Sequence, residues 1–222
     1  MYLDSISPIL AREKVMHEHD LEDYLQAKEL AVKNLVTRSF FSLLQKSGFT
    51  SEKDNELLIP FLDRIYKVSY PEFNFIDIQD GQSEAPIKDQ ILILHYLQAE
   101  PPKFLDGQWI SYREISRVFY HYNAFAQNAI YPLQQEFGNK SQELERIVSR
   151  LKGKVVQAGD FGYEFNVFPM VPFRMILWEG DEEFDPSTNI LFDSSIVDIL
   201  CPEDIAWMAS IVVERLIYLK QE

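Results

Sequence analysis

The densest group of potentially reactive side chains in the sequence is Trp178-Glu179-Gly180-Asp181-Glu182-Glu183-Phe184-Asp185-Pro186, where a β-rich run ends in a glycine turn crowded with carboxylates. Oxygen ligands from Asp181, Glu182, Glu183 or Asp185 could hold a hard divalent cation such as Mg²⁺ or Mn²⁺, and paired carboxylates could share a proton and act as acid and base. The competing interpretation is a solvated loop, with Asp181 capping the turn and Trp178 and Phe184 anchoring it to the core. Asp193, just beyond the apolar run Leu191-Phe192, either caps backbone N–H groups or converges with Asp181 on a ligand, because strand ends hold functional groups on rigid supports. Ser194 and Ser195 follow it without an identifiable base partner, which gives a serine nucleophile little support.

Histidine and aromatic residues offer a second chemistry. His95 lies on an apolar helical stretch one turn after Ile91, and His121 sits in Tyr120-His121-Tyr122 between two helical segments. With Trp109 and Trp178 they could line a pocket for a flat ligand, His95 or His121 serving as axial ligand to a haem or corrinoid. The alternatives are a hydrogen-bonded core histidine for His95 and an exposed aromatic turn for His121. His17-Glu18-His19-Asp20 has metal-ligand types, but at spacings of one and two the side chains leave a helix on different faces, as in a solvated lead-in. Cys201 is the one cysteine, so it can neither form an internal disulfide nor hold an iron–sulfur cluster. It precedes Pro202 at a helix start, where it is either a thiolate favoured by the helix terminus or an idle packed thiol. Gly-rich phosphate loops, Gly-x-Ser-x-Gly, Cys-x-x-Cys and His-Glu-x-x-His do not occur, removing the simplest routes to nucleotide binding, α/β-hydrolase chemistry, structural zinc and metalloprotease activity.

The elements that must position these groups follow from periodicity. Apolar residues at three and four predict one long helix over Leu21 to Lys46, and Ser51 to Leu62 reads as a short helix with Ser51 as cap. Alternation from Arg64 to Ile78 predicts two antiparallel strands, and Pro86 opens a central apolar helix carrying His95. Ser111 and Glu114 form a capping box ahead of a helix over Tyr112 to Val118. Helices follow at about Asn123 to Phe137, perturbed near Pro132, and at Ser141 to Lys152. Lys154 to Ala158, Phe161 to Phe168, Phe173 to Trp178 and Asn189 to Phe192 predict a β-meander with a fourth strand. The last helix begins at Pro202-Glu203-Asp204, whose acids suit its dipole, and should pack across the sheet. The fold class expected is α+β, a single domain over 1–222 with a largely antiparallel sheet in the C-terminal third against several helices, and about 1–50 a helical lobe.

Bulk composition fits a folded protein of 222 residues, 46% hydrophobic and 25% charged, and the 16 Phe and 11 Tyr supply apolar area for a packed core. Asp and Glu outnumber Lys and Arg by 35 to 21, a formal charge of -14 that opposes binding to nucleic acid or anionic membrane surfaces. No leader pattern occupies Met1 to Leu10, and no apolar run approaches the ~18 residues of a membrane span, so a cytoplasmic location is expected.

Phe168-Pro169-Met170-Val171-Pro172, Leu177-Trp178, Gly180-Asp181-Glu182-Glu183-Phe184, Ile190-Leu191-Phe192-Asp193 and Glu203-Asp204 together resemble a family of prokaryotic domains of unknown function found mainly in anaerobic bacteria and archaea. Upstream, Ile91 to Leu97, Gly107 to Ser111, Phe125, Pro132-Leu133 and Gly159-Asp160 are similar to it as well. The resemblance implies no established activity. Members are sometimes joined to an iron–sulfur domain of the kind found in corrinoid proteins, so it implies a link to such a partner. Three functions are therefore expected to compete. The first is an accessory protein binding a haem- or corrinoid-type cofactor, or an iron–sulfur or corrinoid protein, in anaerobic metabolism. The second is a divalent-metal or carboxylate acid/base enzyme built on Asp181, Glu182, Glu183 and Asp193, and the third a pure protein-interaction module. The balance leans away from an enzyme.

Overall fold

The computed structural model of the protein describes residues 18–102 and 104–221. Its first helical run is broken in two, α1 Glu18–Leu35 and α2 Phe40–Ser47, where one helix was expected. The break has a local cause. Thr37 turns its hydroxyl back onto the Asn34 carbonyl, and Ser39 caps the second helix by accepting the Ser42 N–H at 3.2 Å. Arg38, in the break, donates to the carbonyls of Leu97 and Gln98.

The stretch expected as a short helix at 51–62 is instead a hairpin, β1 Thr50–Lys53 and β2 Glu56–Phe61. Asn55 takes the left-handed conformation its turn requires (φ 61). Leu57, Ile59 and Phe61 alternate inward while Glu56, Leu58 and Pro60 do not, a period of two that burial decided over helix-cap signals. β3 Arg64–Ser69, β4 Phe75–Asp77 and β5 Ser83–Glu84 complete an antiparallel sheet in chain order. α3 Ile87–Gln98 then runs through the core with Ile91 to Leu94, Tyr96 and Leu97 buried.

β6 Trp109–Ser111 is a strand that periodicity alone did not predict. The Ser111–Glu114 capping box forms, both the Ser111 N–H and hydroxyl donating to Glu114, but it starts only a 3₁₀ turn, Tyr112–Glu114. Next come α4 Tyr122–Phe125, a π-helical turn Ala126–Ile130 and α5 Tyr131–Phe137. Pro132 lacks an N–H and its ring would strike the Asn128 carbonyl four residues back, and the wider π turn just ahead of it absorbs that mismatch. α6 Ser141–Arg150 leads to β7 Lys154–Val156, β8 Phe161–Phe168, β9 Val171–Trp178 and β10 Ser187–Asp193, and α7 Pro202–Gln221 ends the chain's described elements. The second sheet has the order β6-β10-β9-β8-β7: the expected meander, extended at its edge by β6.

The fold is thus α+β, with two open antiparallel sheets instead of one dominant C-terminal sheet. Phe168, at the turn between β8 and β9, joins them. It stacks on Tyr96 of α3 at 4.4 Å and meets Phe61 of the first sheet at 5.4 Å. Buried aromatic side chains of this size each contribute about 1.5–3 kcal/mol. Among the described residues no helix is long and apolar enough to cross a membrane.

Candidate functional site

The two histidines singled out from sequence arrive at one place, the first turn of α7. His95, from α3, places Nδ1 2.9 and 3.0 Å from the two carboxylate oxygens of the buried Asp204. His121, just ahead of α4, has Nε2 3.2 Å from Oε1 of the exposed Glu203. Acidic residues belong in this turn because the helix dipole is positive there, and each carboxylate in turn holds an imidazole from a different element. Tyr112 fastens the same corner by donating to the Pro202 carbonyl at 2.8 Å while stacking on Phe125 at 4.3 Å. Arg113 lies over the Tyr122 ring at 4.3 Å.

The hydrogen bond to Asp204 raises the His95 pKa above its usual 6.5, outweighing burial, which acts the other way. A histidine whose folded pKa exceeds its unfolded value stabilises the fold fully below about pH 6.5 and loses that contribution as pH rises through the folded pKa. His95→Gln should therefore flatten the fall in stability just above pH 6.5, measured as unfolding midpoints in urea at pH 6 and pH 8. Equal pH dependence in wild type and variant would refute the pairing.

Cys201 adjoins this corner. The residue is exposed, and its sulfur accepts the Asp204 N–H at 3.5 Å. Burial of the sulfur, and then the Asp204 charge, push the thiol up to about 11. That shift disfavours the helix-terminus thiolate.

Beside His121 and Glu203 a cleft of about 180 Å³ opens between the π turn and α7, lined also by Asn128, Trp207 and Ser210. Trp207 stacks on Tyr24 of α1, ring centroids 5.5 Å apart. The aromatic knuckle ahead of His121 stands in solvent: Phe119 and Tyr120 are 85% and 87% exposed and meet edge to face at 5.6 Å.

Trp109 and Trp178 do not join the histidines. Trp109 pairs with Asp193 at one end of β10 and Trp178 with Ser187 at the other, six residues along, or about 20 Å. Trp109 is covered by the Arg174 guanidinium 3.7 Å from its ring. The cleft next to His121 is also smaller than the ~300–1,000 Å³ of pockets that enclose drug-sized ligands. The four residues thus do not fit a single enclosed tetrapyrrole site.

The acidic carboxylates separate for the same reason. The turn containing Asp181, Glu182 and Glu183 precedes β10, whereas Asp193 ends it. Asp181 accepts the N–H groups of Glu183 and Phe184, both at 2.8 Å, and those bonds hold its carboxyl below the usual range. Glu182 and Glu183 are exposed. Asp181 therefore caps the turn, but Trp178 and Phe184, 40% and 70% exposed, are not its anchors. Pro186 is the anchor, packed so closely between Gly138 and Gly180 that a Cβ on either glycine would lie within 3 Å of it. Asn139 adds an acceptor for the Gly180 N–H. The turn borders an open groove of about 530 Å³ lined by Tyr131, Gln134, Gln135, Asn139, Lys140 and Asp185. Asp181, Glu182 and Glu183 do not line it.

Asp193 is 2% exposed and saturated: it accepts from the backbone N–H groups of Asp106, Gly107 and Ser195 and from the Ser195 hydroxyl. Desolvation pushes its carboxyl up, but these bonds together hold it below the usual 3.8. Neither Asp181 nor Asp193 has the raised pKa of a general acid at neutral pH. Among the described residues no three His, Cys, Asp or Glu side chains gather as a metal site. The side chains of His17-Glu18-His19-Asp20 lie outside the described residues.

The family model of a domain of unknown function, DUF3786, matches residues 40–215. That span includes the first sheet, both histidines, the acidic turn and most of α7. No curated protein and no solved structure matches the chain.

Proposed function

The chain belongs to the DUF3786 family of domains of unknown function, and from that premise we propose that it is a non-catalytic accessory module that docks a cofactor-bearing protein, using the corner where Phe119, Tyr120 and His121 meet α7. The observation that carries this reading is the pairing of two almost wholly exposed aromatic side chains with a cleft too small to enclose a cofactor. Exposed aromatics next to a polar depression have the composition of a protein interface, where a few anchors dominate the binding energy. The resemblance noted from the sequence supplies the class of partner, an iron–sulfur or corrinoid protein of anaerobic metabolism. The same reading takes the location as cytoplasmic and, from the charge of -14, argues against nucleic-acid partners.

The test is chemical cross-linking at Lys and acidic residues in an anaerobic lysate, followed by identification of the partner and its metal content. Interface anchors contribute about 2 kcal/mol each, so Phe119→Ser with Tyr120→Ser should weaken binding of the purified partner by about 1,000-fold, with an unchanged unfolding midpoint. A partner carrying neither iron, cobalt nor an organic cofactor would overturn the proposal. So would a double variant that binds as well as wild type, or a stoichiometric cofactor bound to the purified protein itself.

A further inference from the structure

The cleft between the π turn and α7 has a chemistry of its own. Its lining contains one carboxylate, Glu203, which His121 contacts at 3.2 Å, and no Lys or Arg. Asn128 contributes an amide oxygen. Ser210 donates its hydroxyl to the Ala206 carbonyl, so the oxygen's lone pairs remain to accept. Trp207, with one face stacked on Tyr24, contributes an indole whose opposite face can attract a cation. Asn128 is in the Ala126–Ile130 π turn, and such bulges re-aim side chains and recur at functional sites. Arg113, four residues after Trp109 in the 3₁₀ turn, is engaged over Tyr122.

Resting on the docking reading, we propose that this cleft receives one arginine side chain from the partner protein. Size argues for a single side chain: about 180 Å³ falls short of a cofactor but admits a guanidinium and part of its stem. Charge argues for a cation, because Glu203 stands in a chain of net charge -14. Shape argues for arginine over lysine. A planar fork of five donors can pair with the Glu203 carboxylate, reach the Asn128 and Ser210 oxygens and stack on an indole at once, whereas an ammonium is a compact point charge. Glu203 is available for this role because its side chain is 70% exposed and only its Oε1 is in contact with His121.

N-acetyl-arginine amide, titrated into the full ¹⁵N-labelled chain, is the probe, and N-acetyl-citrulline amide is its neutral isostere. The Trp207 indole N–H resonance, assigned with Trp207→Phe, should shift saturably with the arginine compound at a Kd on the order of millimolar. Citrulline should bind at least about 10-fold more weakly, and Glu203→Gln should weaken the arginine compound by a similar factor. Glu203 is exposed, so that variant keeps the fold, which its unchanged amide spectrum elsewhere verifies. An unmoved Trp207 resonance, equal binding of citrulline, or indifference to Glu203→Gln would each overturn the arginine site. None of these outcomes touches the Phe119 and Tyr120 capture experiment, so failure of the cleft and failure of the docking reading are separate results.

Discussion

Asp193→Ala is expected to cost the protein about 3 kcal/mol of folding stability at pH 7. The carboxylate is buried, and four donors converge on it: Asp106 N at 3.0 Å, Gly107 N at 2.7 Å, Ser195 N at 3.1 Å and the Ser195 hydroxyl at 2.6 Å. Truncation orphans all four. Each buried donor left without an acceptor costs about 1–3 kcal/mol, and water reaching the loop before β6 repays part of the sum. Asp193→Asn should recover less than half, because its amide nitrogen would face a backbone N–H where an oxygen now accepts. The folded carboxyl titrates below its usual 3.8, so its stabilisation is complete above that value and is lost as pH falls through the folded pKa. The Asn variant should therefore show a flatter acid limb below pH 4 in urea unfolding. A loss under about 1 kcal/mol, together with stabilisation of the wild type by Mn²⁺, would return Asp193 to the role of a metal ligand.

Asp193 also shows where legibility in the sequence ends. Its place after an apolar strand made a capping role readable, and the Ser195 contacts are local. The other two donors belong to Asp106 and Gly107, brought alongside only because β6 pairs with β10 across the sheet. A three-residue strand leaves no periodicity to detect. The same limit applies to the histidines. His95 and His121 could be named as polar residues near aromatic surroundings, and Glu203-Asp204 as a helix start, but their pairing depends on three elements packing at one corner. The sequence misled where local signals conflicted. Ser51, Asp54 and Glu56 resemble a helix start, yet Leu57, Ile59 and Phe61 alternate, and burying that face outweighed the caps. In the long first helix no Gly or Pro marks the break, and Ser39 shows its capping role only once the structure places it before Ser42. The acidic turn drew attention by its density, but its close packing comes from the less conspicuous Pro186 against Gly138 and Gly180.

The second large effect is expected at the joint between the first sheet and α7, and it bears on whether the chain unfolds as one unit. Asp63, in the turn between β2 and β3, accepts from Arg215 Nε at 2.6 Å and from its terminal nitrogen at 2.5 Å, with side chains only 16% and 10% exposed. Burial pushes the Asp63 carboxyl up, and the Arg215 hydrogen bond and charge overcome it, leaving the group below its usual 3.8. Arg215→Met strands that carboxylate in a low-dielectric site and should cost about 3–5 kcal/mol. With Asp63→Asn added, most of the loss should return, because the uncompensated charge, not the missing attraction, is the main cost. The Arg215→Met variant should also regain stability on acidification, since protonating Asp63 relieves the penalty. In the wild type, we expect the pair to make the two sheets melt together. The tryptophans, Trp109, Trp178 and Trp207, all lie in the second sheet or α7, whereas far-UV circular dichroism also registers the first sheet. Coincident urea transitions by fluorescence and dichroism in the wild type, separating in Arg215→Met, would establish one cooperative domain held together by this contact. Transitions already separate in the wild type would mean that the first sheet is an independent unit, and that the α7 corner keeps its shape without it.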